Sequence, residues 1–277
     1  MMNVLRIIRH LVIGLAAAAA ILVPMWFVIT AFGGKFGAWT PLDAFRHVTG
    51  NAGLVLPAAL ILGGLALVMA VAFRLIFGRS NAPGPGGYIA AVAAIAVGGG
   101  GILYAQSVRQ LAGEVPPIHD ISTDTENPPQ FSQSLVDRRT LDGASNSVDY
   151  AAKTNPADGR ALPEVQAEAY PQIEPRRFDR DPATVYAAAL QTARDMGWKI
   201  ATASETALMF EATDQTFWFG FKDDVVVRVT ETEDGSQVDV RSVSRVGMSD
   251  LGANAARIEA FLDHMRSKFD EDGRAGG

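Results

Sequence analysis

The chain has 277 residues, of which 48% are apolar and 19% are charged, and it has no cysteine. Residues 1–108 hold 6 of the 24 lysines and arginines and 1 of the 30 acidic residues, so they carry a net charge of +5, while residues 109–277 carry 18 − 29 = −11. This asymmetry excludes a simple soluble enzyme, and the absence of cysteine excludes a disulfide scaffold and a cysteine-ligated metal site. It indicates a membrane part followed by an acidic part.

Three apolar, charge-free stretches in the first part are long enough to cross a bilayer, whose core needs about 20 residues of helix. They are residues 11–33, 51–73 and 86–108. The third contains the glycine run 98–101, which favours packing against small residues such as Gly63 and Gly64. The sequence therefore predicts a three-span region over residues 1–108.

The first stretch has a cleaved signal peptide as its alternative interpretation, because Arg6 and Arg9 precede an apolar core. Signal-peptide cores run about 7 to 15 residues, and this one continues through Phe27. We therefore expect an uncleaved span. No acidic residue or lysine lies within the spans, which favours an anchor or a partner-binding bundle over a transporter.

The basic residues that flank the spans set the expected orientation. Four lie on the side of the N-terminus: Arg6, Arg9, Arg74 and Arg79. The opposite loop, residues 34–50, has only Lys35 and Arg46. We expect an integral protein of a bacterial inner membrane, with a cytoplasmic N-terminus and a periplasmic C-terminal part.

Residues 109–180 are rich in Pro, Asp, Ser and Thr, which predicts an extended arm and linker, with an ordered stretch over 116–131. Residues 181–269 predict an α+β soluble domain: a helix, a four- to five-stranded antiparallel sheet and a second helix. Asp181-Pro182 begins the first helix and Gly197 ends it. Residues 270–277 are expected to be a disordered tail.

The predicted strands are residues 198–203, 207–213, 225–231 and 238–246, with residues 217–221 leading into the third. The last helix starts near Ser249-Asp250 and has an apolar stripe at helical spacing. That stripe is Leu251, Ala255, Ile258, Leu262, Met265 and Phe269. Trp218, Phe219 and Phe221 are expected in the core, with a ligand groove as the alternative.

The dipeptide Asp234-Gly235 predicts a two-residue hairpin turn, and this turn fixes the pairing of the last two strands. Val229 then faces Val240 on the core side. The other side pairs Thr230 with Asp239, Arg228 with Arg241, Val226 with Val243 and Asp224 with Arg245. Opposed arginines repel each other, so this side needs Asp239, Glu211 or a bound anion.

Two interpretations of this charged face stay open. One is a structural lattice of salt bridges. The other is a site for an anionic or polar group, in which arginines donate hydrogen bonds and carboxylates orient them. The residues of this candidate ligand-binding site are Arg228, Arg241, Arg245, Asp224, Asp239 and Glu211.

Catalysis has weaker support. A hydrolase would use Asp223, Asp224 or Asp239 as acid and base groups, but the two adjacent aspartates point to opposite faces of a strand. A serine nucleophile is also weakly supported: His119 and His264 are the only candidate bases, and none of the available serines lies in a nucleophile-elbow motif. We predict no metal, no cofactor and no catalytic residues, and the net negative charge of residues 109–277 disfavours nucleic acid, which we do not expect as a partner.

Several motifs resemble the domain of unknown function 1499 family over residues 115–269. They are Thr123-Asp124, Asn127-Pro128-Pro129-Gln130-Phe131, Tyr170-Pro171, Gly197-Trp198, Glu211-Ala212-Thr213, residues 219–225 with Arg228, residues 239–247, Ser249-Asp250-Leu251-Gly252, Asn254 and Arg257. The segment 132–166 is longer and looser than the family pattern. The resemblance implies one domain attached to N-terminal membrane spans, with the Arg/Asp cluster as its signature, and it implies no activity.

The sequence thus predicts a non-enzymatic, membrane-anchored envelope protein. Its acidic domain is expected to bind an anionic or polar ligand, a lipid headgroup or a protein partner, besides the lipid bilayer itself. The alternatives are the hydrolase above and a purely structural partner of another membrane protein.

Overall fold

The computed structural model describes the backbone of residues 2–275 and the side chains of residues 2–270. The helices are α1 (Met2–Lys35), α2 (Pro41–Ile76), α3 (Pro85–Glu114), α4 (Gln133–Leu141), α5 (Leu162–Ala169), α6 (Pro182–Asp195) and α7 (Ala253–Ala275), with a 3-10 turn at Arg79–Asn81. The strands are β1 (Asp120–Ser122), β2 (Arg176–Phe178), β3 (Lys199–Ser204), β4 (Met209–Gln215), β5 (Lys222–Thr232) and β6 (Gly235–Ser244).

The chain divides into two compact units. The first contains Met1–Leu111 together with the short segment Trp218–Gly220, and the second contains Ala112–Phe217 and Phe221–Gly277. Three helices of the first unit, α1, α2 and α3, are long and apolar enough to cross a membrane. The predicted fold class, three long apolar helices followed by an α+β domain, is confirmed.

Close backbone packing joins α2 to α3 at two glycines. A Cβ atom on Gly98 would lie 2.4 Å from the backbone nitrogen of Leu60, and one on Gly63 would lie 2.7 Å from the backbone nitrogen of Ile95. Larger side chains at either position would force the helices apart. The glycine run thus packs closely against α2 as predicted, but its neighbours there are Leu56 and Leu60 and not Gly63 or Gly64.

The sheet of the second unit has six antiparallel strands in the order β1-β6-β5-β4-β3, and β2 also pairs with β6. The four long strands correspond to the four predicted ones. The two short strands come from the segment predicted as arm and linker, and this segment also forms α4 and α5. Two short segments of the arm thus become strands of the sheet, because their backbones pair with β6.

One face of the sheet carries the hydrophobic core beneath α6 and α7. Asp181 accepts a hydrogen bond from the backbone of Thr184 and caps α6, with Pro182 at its first position as predicted. The core on this face includes the valines Val225, Val227, Val229, Val238 and Val240 together with Val185, Ala189, Ile258, Phe261 and Met265. Of the apolar stripe predicted for the last helix, Ala255, Ile258, Leu262 and Met265 are buried here and Phe269 is partly buried. Leu251 lies in the turn before α7 and is not part of the helix.

The predicted pairing of β5 with β6 is wrong by two residues. Thr232 pairs with Gly235, so the turn consists of Glu233 and Asp234. Gly235 has a φ of +140° and approaches β2 so closely that a Cβ atom would lie 2.3 Å from the carbonyl oxygen of Phe178. A glycine is therefore required at position 235 by the close approach of β2 and not by the turn.

The expectation that Trp218, Phe219 and Phe221 lie in the core of the domain is wrong. They lie in the loop between β4 and β5, where Trp218 is 40% exposed. Within the first unit, the Trp218 ring lies 5.0 Å from the ring of Phe27, and the Phe219 ring lies 5.7 Å from that of Phe45. At the C-terminus, α7 runs through residue 275, and the rest of the predicted tail lies outside the described residues.

Candidate functional site

The six predicted site residues share the sheet face opposite the valine core. We call it the ionic face: Glu211, Asp224, Arg228, Asp239, Arg241 and Arg245. A two-residue shift keeps every side chain on its predicted face, since neighbours along a strand alternate. The shift changes the partners, however. Arg228 faces Asp239 and Arg241 faces Val226, so the predicted opposition of two arginines does not occur.

Arg241 is fully buried and binds the arm. Its Nε and Nη2 atoms donate to the two carboxylate oxygens of Asp120 at 3.0 and 2.8 Å, and its guanidinium also donates to the backbone carbonyl oxygens of Pro129 and Val148. The rings of Phe131 and Tyr150 lie about 5 Å from the guanidinium carbon. Every donor nitrogen of Arg241 is therefore used within the domain.

Asp224 is the centre of a second buried group. Arg245 donates to both of its carboxylate oxygens at 2.8 Å, Arg139 of α4 donates at 2.5 Å, and the Thr213 hydroxyl donates at 2.7 Å. The guanidinium of Arg139 also donates to the backbone carbonyl oxygen of Asn146. The bidentate pair and its additional donors satisfy a carboxylate that is otherwise out of reach of water.

This second group continues to the surface. Arg245 also binds Asp142, and Lys222 donates to the same carboxylate at 2.8 Å. The side chains of Lys222 and Asp142 are 41% and 36% exposed. The hydrogen bond from Lys222 holds the pKa of Asp142 below its usual value. Asp142 therefore stays ionised between two cations at the rim of the ionic face.

Arg228 lies at a different rim. Its Nη2 atom donates to Asp239 at 3.0 Å, to Asp124 at 3.1 Å and to the backbone carbonyl oxygen of Asn127 at 3.0 Å. Two carboxylates around one guanidinium leave this rim with a net negative charge. It is therefore a poorer place for an anion than the rim at Lys222.

Glu211 does not pair with an arginine. It accepts hydrogen bonds from the backbone nitrogen and hydroxyl of Ser132, the residue that caps α4, and from the hydroxyl of Thr202 at 2.6 Å. Glu211 thus ties the start of α4 to the sheet. The predicted site residues are consequently divided among separate clusters and do not converge on one point.

Burial changes the proton affinity of two cations of the arm, Arg139 and Lys153. Desolvation lowers the pKa of Arg139 despite the opposing effect of Asp224, and desolvation likewise lowers the pKa of Lys153, which forms an ion pair with Asp120. A cavity of about 30 Å³ lies beside Asp120 and Lys153. This volume fits a single water molecule, not an organic ligand.

The candidate acid and base residues are also ion-paired. Asp223 and Asp224 point to opposite faces as expected, and Asp223 binds Arg257 of α7 at 2.6 Å. Arg257 in turn donates to Asn254 and to the hydroxyl of Ser242. Within residues 2–270, no group of three histidine, cysteine, aspartate or glutamate residues is arranged to hold a metal ion.

Five charged residues that complete the ionic face were not predicted as site residues: Asp120, Asp124, Arg139, Asp142 and Lys153. All lie in the arm, which has little apolar periodicity. No charge imbalance pointed to them, because the sheet face carries three arginines and three carboxylates of its own. Their contacts with the sheet depend on the path of the arm, which no local pattern encodes.

A family model described as "Protein of unknown function (DUF1499)" matches residues 120–265, more than half of the chain. The matched range begins at Asp120, the partner of Arg241, and ends in α7, so it contains the whole ionic face. No curated protein matches the sequence. The chain therefore belongs to the DUF1499 family of proteins of unknown function.

Proposed function

We propose that this chain is a membrane-anchored binding protein whose C-terminal domain receives an anionic group at the rim formed by Lys222, Asp142 and Arg245. The observation that carries the proposal is the charge of this rim. Three cations, Arg139, Lys222 and Arg245, surround two carboxylates, Asp142 and Asp224, which leaves one positive charge in surplus. An anion at Lys222 would neutralise that surplus.

The ionic face would act in two ways. At the rim, Lys222 contributes an exposed ammonium group, of which one donor is bound to Asp142. Beneath it, Asp224 orients Arg245 through two hydrogen bonds of 2.8 Å. Arg241, Asp239 and Glu211 would hold the arm on the sheet and so keep the rim in shape.

The alternative function is hydrolysis with Asp223, Asp224 or Asp239 as acid or base. Each of these carboxylates is buried and ion-paired to an arginine. A general acid or base must reach the substrate within hydrogen-bond distance. Their burial therefore favours binding over catalysis.

The anion site is tested with inorganic phosphate and the full chain in nanodiscs of neutral lipid. We expect phosphate to raise the thermal unfolding midpoint, and we expect Lys222→Ala to weaken phosphate binding by about tenfold, as for loss of one charged hydrogen bond. The matched control is Lys268→Ala, which removes a similar exposed lysine in an ion pair with Asp195. The proposal fails if phosphate has no effect or if both variants bind it like the parent chain.

The proposed setting is a bacterial inner membrane, with the N-terminus in the cytoplasm and the domain in the periplasm. The excess of arginines on the N-terminal side of the spans supports it. Because the chain has no cysteine, labelling of Asp234→Cys in intact cells with a membrane-impermeant maleimide tests the orientation. Labelling only after the cells are lysed would place the domain in the cytoplasm.

A further inference from the structure

Exposed apolar side chains are concentrated at one place on the α+β domain. Within residues 112–270, four large apolar residues are exposed: Leu141 at 88%, Met248 at 73%, Phe217 at 64% and Trp218 at 40%. Single exposed apolar residues are common on protein surfaces and need no explanation. Four that share one end of a domain constitute a patch, and patches of this kind mark interaction surfaces.

The strand pairing shows that these residues share an end. β4 ends at Gln215, which pairs with Lys222 at the start of β5, and Asp223 pairs with Ser244 at the end of β6. Phe217 and Trp218 lie in the loop between β4 and β5, and Met248 follows β6. Leu141 precedes Asp142, the partner of Lys222. We call this the entry end of the sheet.

The chain enters the domain at the same end. Asp120, the first residue of β1, pairs with Val243 near the end of β6. The long apolar helix α3 ends at Glu114, and the five intervening residues span at most about 18 Å when extended. The entry end is thus the end of the sheet that a short linker joins to α3. The opposite end, at the Glu233-Asp234 turn, has no such restraint.

The composition of the entry end fits a lipid surface. Tryptophan is favoured at the boundary between headgroups and acyl chains, where its apolar ring is buried and its indole N–H stays hydrated. Phenylalanine adds apolar area that is buried at the same depth. Lysine side chains beside such rings extend towards the headgroups, and Lys222 directly follows the loop that contains Phe217 and Trp218. Moreover, Trp218–Gly220 belongs to the same compact unit as the apolar helices.

We infer that the entry end of the domain contacts the lipid bilayer, with Phe217, Trp218, Met248 and Leu141 inserted at the headgroup boundary. The domain then has a fixed side towards the membrane instead of moving freely on a tether. Charge on the lipid is not required, because the inserted groups are apolar. The inference therefore goes beyond the proposed anion site and does not depend on it.

Single-cysteine labelling of the full chain tests this inference, because the parent chain has no cysteine. Phe217→Cys and Met248→Cys report on the entry end, and Asp234→Cys at the exposed turn of the opposite end is the control. Each variant is labelled with an environment-sensitive fluorophore in phosphatidylcholine nanodiscs without phosphate. Spin-labelled lipids then act as quenchers.

We expect labels at positions 217 and 248 to emit at shorter wavelength than the label at 234 and to lose roughly half of their intensity with spin-labelled lipid. Equal, water-like emission at all three positions would overturn the inference. Short-wavelength emission without lipid quenching would also overturn it, because the patch would then be covered by protein. Phosphate is absent from these samples and Lys222 is retained in all three variants, so failure of this test is distinguishable from failure of the proposed anion site.

Discussion

The two faces of the sheet are both buried, but by different chemistry. On the helix side, valines such as Val225 and Val227 pack beneath α6 and α7. On the arm side, buried arginines and aspartates join the sheet to a segment with little secondary structure of its own. Apolar packing tolerates many arrangements, whereas a bidentate ion pair accepts one geometry. The ionic face therefore specifies where an irregular arm lies.

The largest expected effect is on the arm side. Arg241→Ala leaves Asp120 buried with only Lys153 as its cationic partner, and we expect it to lower the free energy of unfolding by about 3–5 kcal/mol. Arg241→Lys should recover part of this loss, because a lysine keeps the charge but cannot form the bidentate pair. Denaturant unfolding of the full chain in detergent measures both.

The matched comparison for the helix side is Ile258→Ala, which removes a fully buried side chain of α7 and should cost about 2–5 kcal/mol. We expect it to loosen the whole core, whereas Arg241→Ala should first expose the arm to proteolysis. If Arg241→Ala changes the free energy of unfolding by less than about 1 kcal/mol, the ionic face does not hold the arm.

A smaller loss of stability is expected from substitution of Gly235, the first residue of β6. Gly235→Ala brings a Cβ atom against the carbonyl oxygen of Phe178 at a positive φ, and we expect a cost of about 1–3 kcal/mol. Gly143→Ala is the control, because Gly143 also has a positive φ but nothing lies within 4 Å of its Cβ position. Thermal unfolding measures both variants. An equal fall of the unfolding midpoint in Gly235→Ala and Gly143→Ala would show that backbone strain alone, and not the contact with Phe178, matters at Gly235.

The smallest expected effect is a dependence of stability on pH, which arises from His119 in the arm. Burial, and secondarily Lys153, lowers the pKa of His119 from 6.5. A group whose pKa is depressed by folding stabilises the fold above its unfolded pKa, and this contribution is lost as the pH falls through the folded pKa. Stability should therefore decline below about pH 6.5, well before Asp142, whose pKa is lowered from 3.8, is protonated.

Thermal unfolding between pH 8 and pH 5 measures this decline. His119→Asn should flatten the profile above pH 5, because the amide does not titrate. An unchanged profile in His119→Asn would show that the decline has another source.

The faces of the strands were predictable although their pairing was not. Alternation along β5 and β6 assigned Asp224, Arg228 and Arg245 to the ionic face, and a shift of two residues preserves that assignment. The turn was misplaced because Asp234-Gly235 is a common turn signal. Gly235 is instead required by β2, a strand that is distant in sequence and was not predicted.

The arm was the least predictable region. Its residues Asp120, Arg139 and Lys153 lack the periodicity that marks a helix or strand, because their positions depend on ion pairs with the sheet. The loop at Trp218 was misassigned for a related reason. Aromatic residues beside a strand usually lie in the core, and only the strand ends reveal that this loop lies at the surface.

The sequence by itself determined three apolar helices, an acidic α+β domain and the faces of its strands. These features depend on length, composition and local periodicity, which are properties of short segments. The tertiary structure decided which charges pair and which end of the sheet receives the chain. Both depend on contacts between residues far apart in sequence, such as Asp120 with Arg241 and Asp142 with Lys222, and no local pattern encodes them.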